Sequence, residues 1–342
     1  MLYFAFLAFV ISIFCTLLVR RIARKVNVLD RPDKSRKFHD RPVPLLGGVA
    51  LFIAWWSVVA YLVFVQPVFG IEIIKGKLLA AFFASLIILV VGIADDIRGV
   101  SPWWRFFSTA LAAAIAVAFG IGLDKITNPL GGVILLSSVL GNLVVFLWLM
   151  VVMFTTKISD GLDGLSTGVV LIGSLMIYFM TSSGKFYQPN VALLSLIFAA
   201  VCLGFLIFNF HPASIFLGES GSLLIGFILG VLSIISGSKL AIALLVIAVP
   251  ALDVARVIFG RFRAQQPIFR GDRRHLHYRL LDFGLPEPLV VLLFYFLAAL
   301  FGILGLLLQS GQKFVFLIMV FLGLAIVSIR FPELTSPYEK NK

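Results

Sequence analysis

Charge is scarce in this sequence. Only 13% of its 342 residues are Asp, Glu, Lys or Arg, while 61% are hydrophobic and the mean hydropathy is +1.10. That composition excludes an ordinary soluble domain and implies a polytopic membrane protein in a lipid bilayer. Acids are the scarcer sign, 16 against 28 basic residues, for a net charge of +12. In a soluble chain such an excess would suggest nucleic acid. In a membrane protein the positive-inside rule already requires it, so no nucleic-acid partner is expected. Cysteine is nearly absent: Cys15 and Cys202 each sit inside an apolar run, which excludes a disulfide framework and a thiolate metal centre. No internal repeat of fixed period and no low-complexity tract is present, so a repeat-built transporter gains no support. The first apolar run lacks a basic segment before it and has a strongly basic one after it. This is the reverse of a cleavable signal peptide, and the run is expected to remain as a span with its N-terminus outside.

Apolar runs at residues 2–19, 45–65, 78–94, 106–123, 139–154, 165–180, 191–208, 223–236, 240–255, 289–308 and 314–329 predict an all-α fold of about eleven transmembrane helices in a single domain, 1–342. Pro250 is expected to kink the ninth span near its inner end. Between spans four and five, β-prone residues 125–127 and 133–135 flank Asn128 to Gly132, which predicts a small external β-hairpin. Simple alternation puts loops 20–44, 95–105, 157–164, 209–221 and 256–288, with the tail 330–342, on one face. By count that face holds roughly 22 of the 28 basic residues and every acid except Glu72 and Asp124, so it is assigned to the cytoplasm. The expected location is the inner, cytoplasmic membrane.

The acids on that face are clustered. Thr155 to Leu165 places Asp160 and Asp163 between two apolar runs, and Asp95-Asp96 closes the third span. Charges at a membrane boundary are costly unless they have work or a partner. Read plainly, Asp160 and Asp163 cap helices in a short turn. The functional reading joins Asp95, Asp96, Asp160, Asp163 and Glu219 with the nearby arginines and histidines as a phosphoryl-transfer site. Its hard oxygen ligands favour Mg²⁺, or Mn²⁺, over zinc. His275 and His277 lack further ligands at a zinc spacing. The Gly47-Gly48 and Gly131-Gly132 pairs read as plain turns. An ion-coupled transporter is the alternative from another class, and it would hold its acids near the bilayer midplane.

From about Arg31 to Gly284 the sequence resembles the polyprenyl-phosphate N-acetylhexosamine-1-phosphate transferases, in the bacterial branch that starts O-antigen, teichoic acid and related glycans. The resemblance rests on five stretches in order: Arg36-Lys37-Phe38-His39 to Gly47-Gly48, Asp95-Asp96, Asp160-Gly161-Leu162-Asp163-Gly164-Leu165, Asn209 to Ser222, and Pro250 to Asp253 through His275-Leu276-His277-Tyr278-Arg279-Leu280. It implies transfer of an N-acetylhexosamine-1-phosphate, chiefly the GlcNAc form, from a UDP-sugar to polyprenyl (undecaprenyl) phosphate, with Mg²⁺ and release of UMP. It also implies catalytic roles for Asp95, Asp96 and Asp160, and metal binding by Asp96 and Glu219. Substrate contacts are implied for Lys37, His39, Lys157, Asp163, Asn209, Phe216, Arg273, His275, His277 and Arg279, with Asp163 and Phe216 toward the uridine end. A homodimer is left open. The related peptidoglycan branch, which transfers a phospho-muramoyl-pentapeptide, tends to carry three successive histidines, whereas this chain has His275-Leu276-His277-Tyr278. Four positions depart from the family pattern. Lys157 and His211 stand where asparagine is usual, Glu219 where aspartate is, and Tyr278 where the branch often has histidine. Lys157 is expected to pair with Asp160 or to contact the diphosphate.

Overall fold

A computed structural model describes residues 1–32, 41–66, 74–128, 131–182, 184–237, 240–266 and 274–330. Thirteen helices account for most of them: α1 (Leu2–Lys25), α2 (Gly47–Phe64), α3 (Lys75–Arg98), α4 (Pro102–Ala118), α5 (Ser138–Ser159), α6 (Leu165–Ser182), α7 (Pro189–Asn209), α8 (Gly218–Ile235), α9 (Leu240–Val246), α10 (Ala248–Arg263), α11 (Leu276–Asp282), α12 (Glu287–Leu307) and α13 (Ser310–Arg330). Each expected span has a helix, but among the described residues only eight are long and apolar enough to cross a membrane. Counting the bent α9–α10 pair as one span makes nine. The expectation of eleven is therefore met only in part: α4 has 17 residues, and the apolar part of α13 is the short Ser310–Gly323.

The ninth span is broken, not merely kinked: α9 and α10 meet at 76°. Proline has no N–H and its ring crowds the carbonyl four residues back. For Pro250 that carbonyl belongs to Val246, where α9 ends. The bend thus falls a turn ahead of the proline.

The core is built around α8, in which every residue from Ser220 to Ile234 is buried. It packs against α2, α3, α5, α6 and α9. Without a hydrophobic drive between helices in lipid, such packing needs small residues and internal hydrogen bonds. Gly48 and Gly92 supply the first, since a Cβ on either would strike the Ser220-Gly221 backbone. Gly47-Gly48 is thus a close-packed helix start, where a plain turn was expected. Thr156 Oγ1 donates to the Ser222 carbonyl at 2.8 Å and Trp148 Nε1 to Ser233 Oγ at 3.0 Å, which ties α5 to α8. Outward-facing Phe6, Phe14 and Leu18 on α1 suit contact with lipid.

Two small antiparallel hairpins complete the fold. β3 (Lys125–Thr127) pairs with β4 (Val133–Leu135), with Ile126 opposite Ile134, between α4 and α5 as expected. β1 (Leu29–Asp30) pairs with β2 (Val43–Pro44), and was not foreseen because two-residue strands carry no readable alternation.

Candidate active site

Four connections and the start of α2 converge at one end of the bundle. The last turn of α3 brings Asp95 and Asp96, which the helix points about 100° apart. Asp95 accepts from the Val100 N–H at 2.6 Å and pairs with Arg105 Nε at 3.1 Å, closing the α3–α4 turn. Asp96 faces α8 instead: its Oδ1 accepts from the Glu219 N–H at 2.7 Å and its Oδ2 from Ser220 Oγ at 2.9 Å. These oxygens satisfy N–H groups that the first turn of a helix leaves unpaired. Gly218 leaves room for the carboxylate. Its φ is +71°, and a Cβ would lie 2.5 Å from Asp96 Oδ2.

The helix α8 starts five residues before the apolar run does, so Glu219 stands on its first turn. Its carboxylate is bonded to Lys157 Nζ, from the last turn of α5. Of the two expected partners of Lys157, Asp160 is thus replaced by Glu219. Asp160 is the C-cap of α5, and Asp163 follows in a turn that ends at Gly164, φ +80°. The two acids therefore do not share a helix turn. The Asp160 N–H donates to the Lys157 carbonyl at 3.2 Å, but its carboxylate has no hydrogen-bond partner among the described residues. Burial, together with the charges of Glu219, Asp163 and Asp96, pushes its carboxyl well above the usual range.

Asp163 belongs to a second group. Its Oδ2 accepts from the Ala213 N–H at 2.9 Å and lies 3.1 Å from His211 Nδ1, while its own N–H donates to Glu287 Oε1 at 2.8 Å. His211 Nδ1 is also 3.5 Å from Glu287 Oε2. The ligand-type atoms of these residues lie within 4.8 Å of one another, and hydrogen bonds already account for the arrangement. Glu287, on the first turn of α12, was missed as a site residue. Its position between Pro286 and Pro288 marked only a helix start. Tyr295, also missed, donates to the Gly164 carbonyl at 2.6 Å and fits against α6 because Gly168 has no side chain. Thus α12 holds the Asp160–Gly164 turn from two places.

The third group is centred on Asp253 of α10. It accepts from Arg256 Nη2 at 2.8 Å, lies 2.9 Å from His275 Nδ1 and accepts from the Leu276 N–H at 2.9 Å, which orients α11. His277 lies under His275 with the rings 5.7 Å apart and nearly parallel, and it is only 3% exposed. Burial, then the neighbouring His275, lowers its pKa to about 3, so it is neutral at ordinary pH. Its Nε2 has no hydrogen-bond partner among the described residues and faces Gly161, whose absent Cβ would be 2.6 Å away.

Of the other expected contacts, Asn209 is buried and occupied structurally, donating to the Ile215 carbonyl at 3.0 Å and accepting from Thr167 Oγ1 at 2.8 Å. Phe216 is half-buried beside the start of α2, its N–H donating to the Pro44 carbonyl at 2.8 Å and its carbonyl accepting from the Gly47 N–H at 3.0 Å. Arg279 is half-buried on α11. Lys37, His39 and Arg273 lie outside the described residues, as does Glu72.

The sequence profile of glycosyl transferase family 4 matches residues 78–237, the stretch that carries Asp96, Lys157, Asp160 and Glu219. A Bacillus subtilis protein named probable undecaprenyl-phosphate N-acetylglucosaminyl 1-phosphate transferase is 32% identical over 332 residues, covering 94% of this chain and 90% of its own. The chain belongs to glycosyl transferase family 4. Further relatives are a Mycolicibacterium smegmatis decaprenyl-phosphate N-acetylglucosaminephosphotransferase, 32% identical over 84% of this chain and 77% of its own, and a Pasteurella multocida undecaprenyl-phosphate alpha-N-acetylglucosaminyl 1-phosphate transferase, 29% identical over 86% and 83%.

The family member described here gathers its acids at helix ends on one end of the bundle, which disfavours a transporter with midplane acids. The oxygens of Asp96, Asp160 and Glu219 are hard donors of the kind Mg²⁺ takes. Asp160, a carboxylate facing other carboxylates with no hydrogen-bond donor among the described residues, is the feature that asks for a cation. The donor set therefore fits Mg²⁺.

Proposed function

We infer that this protein transfers N-acetylglucosamine-1-phosphate from UDP-N-acetylglucosamine to a polyprenyl phosphate, releasing UMP and leaving a lipid-diphosphate sugar of the kind that starts cell-envelope glycans. The relatives' names give the reaction. The observation that supports it in this chain is the meeting of Asp96, Asp160 and Glu219, from three separate connections, with Lys157 bonded to Glu219. Such a site suits diphosphate chemistry, in which positioning and charge stabilisation carry most of the rate. Mg²⁺ held by Asp96, Asp160 and Glu219 would supply charge neutralisation of the diphosphate oxygens.

In the reaction an oxygen of the lipid phosphate bonds to the sugar-bearing phosphorus, and the bond from that phosphorus to the UMP oxygen breaks. Asp95 and Asp96 already spend their oxygens on N–H, hydroxyl and guanidinium donors. A covalent acyl-phosphate on either would have to break those bonds, which favours a single displacement over a two-step route. The Asp160 carboxyl would have its pKa lowered by a bound Mg²⁺, which helps to keep both it and the acceptor phosphate ionised. Lys157 adds positive charge beside the diphosphate, while Asp163, held by His211 and Ala213, and the His275–His277 pair are assigned to the donor.

We further place this end of the bundle in the cytoplasm, with α4 and α13 also crossing to give eleven spans and an outside N-terminus, on the basic-residue asymmetry of the loops. The test is an assay of purified enzyme with undecaprenyl phosphate and, in turn, UDP-GlcNAc, UDP-GalNAc and UDP-MurNAc-pentapeptide. UMP release that needs the lipid and prefers UDP-GlcNAc is expected. UMP release only with the pentapeptide donor would move the protein to the peptidoglycan branch, and no release with any donor would sink the reading.

A further inference from the structure

The ion pair between Lys157 and Glu219 sits at the point where the carboxylates converge, and its geometry carries a consequence for metal loading. Asp96 is fixed, since both its oxygens are held by the first turn of α8. Asp160 faces Glu219, Asp163 and Asp96 with no hydrogen-bond donor among the described residues. Among the described residues, Glu219 is the one of these acids bonded to an ammonium. Lys157 and Glu219 are both mostly buried, with side chains 20% and 14% exposed. The Lys157 stem leans over Phe154, with Nζ 5.8 Å from the ring centre. An ammonium has three donors and no lone pair, so it satisfies a carboxylate but never ligates a metal. A divalent ion that took Glu219 would meet this second cation in direct contact with its ligand.

We propose that Lys157 is a tethered competitor for the metal: its ammonium holds Glu219 in the metal-free enzyme, and loading the ion requires it to let go and turn onto the diphosphate of the donor. This rests on the nucleotide-sugar reading for its second half only. A flexible four-carbon stem makes such a swing feasible. A charged group released at a membrane boundary needs another anion, and Asp160 is engaged by the same ion. Metal and donor therefore favour each other's binding, by an equal factor in either direction. The enzyme so built binds metal weakly when empty and firmly when a diphosphate has arrived.

Mn²⁺ binding to purified enzyme, followed by electron paramagnetic resonance with no lipid acceptor present, reads this directly. Lys157→Gln should tighten Mn²⁺ by about tenfold or more in the absence of nucleotide, equivalent to about 1.4 kcal/mol. Lys157→Arg, which keeps the charge, should stay near the wild type. UDP-GlcNAc should tighten Mn²⁺ by a larger factor in the wild type than in Lys157→Gln. Equal Mn²⁺ affinity in wild type and Lys157→Gln overturns the proposal. A measurement on the wild type alone covers the case of a variant that does not fold. Amine-reactive labelling of Lys157, read by mass spectrometry, should rise when Mn²⁺ saturates the site, and labelling that does not change overturns the competition. If the nucleotide-sugar reading fails, UDP-GlcNAc will not alter Mn²⁺ binding in any variant, yet the nucleotide-free comparison still decides whether Lys157 competes.

Discussion

Glu287 lies outside the matched family profile, and replacing it tests whether α12 positions the Asp163 turn. Its Oε1 accepts from the Asp163 N–H at 2.8 Å and its Oε2 stands 3.5 Å from His211 Nδ1. Only 13% of its side chain is exposed, so water cannot fully replace it. A partly buried hydrogen bond to a charged acceptor contributes about 1.5–3 kcal/mol. If that energy orients Asp163 for the donor, Glu287→Ala should lower kcat/KM by about 10- to 100-fold, mostly through KM for UDP-GlcNAc. Glu287→Gln keeps an acceptor for the Asp163 N–H and loses only the charge toward His211, so its loss should be about threefold to tenfold. The assay is UMP release against donor concentration at saturating lipid phosphate, with thermal unfolding measured alongside. Glu287→Ala within about twofold of wild type would refute the positioning role. Equal losses in alanine and glutamine would instead assign the effect to charge alone.

Asp160→Asn should abolish most turnover, by about 100-fold or more, yet raise the unfolding temperature of the metal-free enzyme. It removes a charge that faces three other carboxylates, and a lowered midpoint would contradict this. Gly161→Ala should cut kcat/KM about tenfold or more through overpacking, because the new Cβ would sit 2.5 Å from Tyr278 Oη and 2.6 Å from His277 Nε2. Gly260→Ala, with nothing within 4 Å, should be silent, and equal losses in the two would deny the contact. His277 has a folded pKa of about 3 against 6.5 when unfolded, so the unfolded chain binds more protons between those values. Its contribution to stability is complete above about pH 6.5 and is lost toward pH 3, at up to about 1.4 kcal/mol per unit. Melting between pH 7.5 and 5 should therefore be shallower for His277→Gln than for wild type, and parallel curves would exclude His277 as the source.

Helix identity was readable wherever apolar runs were long, because lipid leaves a backbone no other way to satisfy its hydrogen bonds. Helix ends were less readable, for a specific reason. The first turn of α8, Gly218-Glu219-Ser220-Gly221-Ser222, is polar and glycine-rich like a loop, yet it is helical because Asp96 caps it and Gly48 packs on it. Both partners are distant in sequence. The break of α9 from α10 was half-legible: Pro250 announced a fault, but the affected carbonyl is that of Val246, so the fault lies upstream. The β3–β4 hairpin was read correctly, since turn formers and β-prone flanks are local signals.

At the site, residue types were legible and pairings were not. Asp95 and Asp96 look equivalent in sequence, yet the helix points them about 100° apart, and of the two Asp96 is the one that reaches α8. Asn209, a binding residue by resemblance, is buried and bonded to Thr167 and the Ile215 carbonyl, partners that its sequence position does not reveal. Lys157 and Glu219 are the sharper case. Taken singly, each departs from the family pattern: one puts an ammonium where a neutral amide is usual, the other adds a methylene to an acid. Taken together they are one ion pair across α5 and α8. The extra methylene gives Glu219 more reach, and the lysine gives it a partner. A departure that looks like damage to a metal site in one strand of sequence is thus balanced 62 residues away. For that reason Lys157 and Glu219 are to be substituted as a pair: in a double-mutant cycle their effects on Mn²⁺ affinity should be strongly non-additive, whereas additive effects would mean that the pair does not act as one unit.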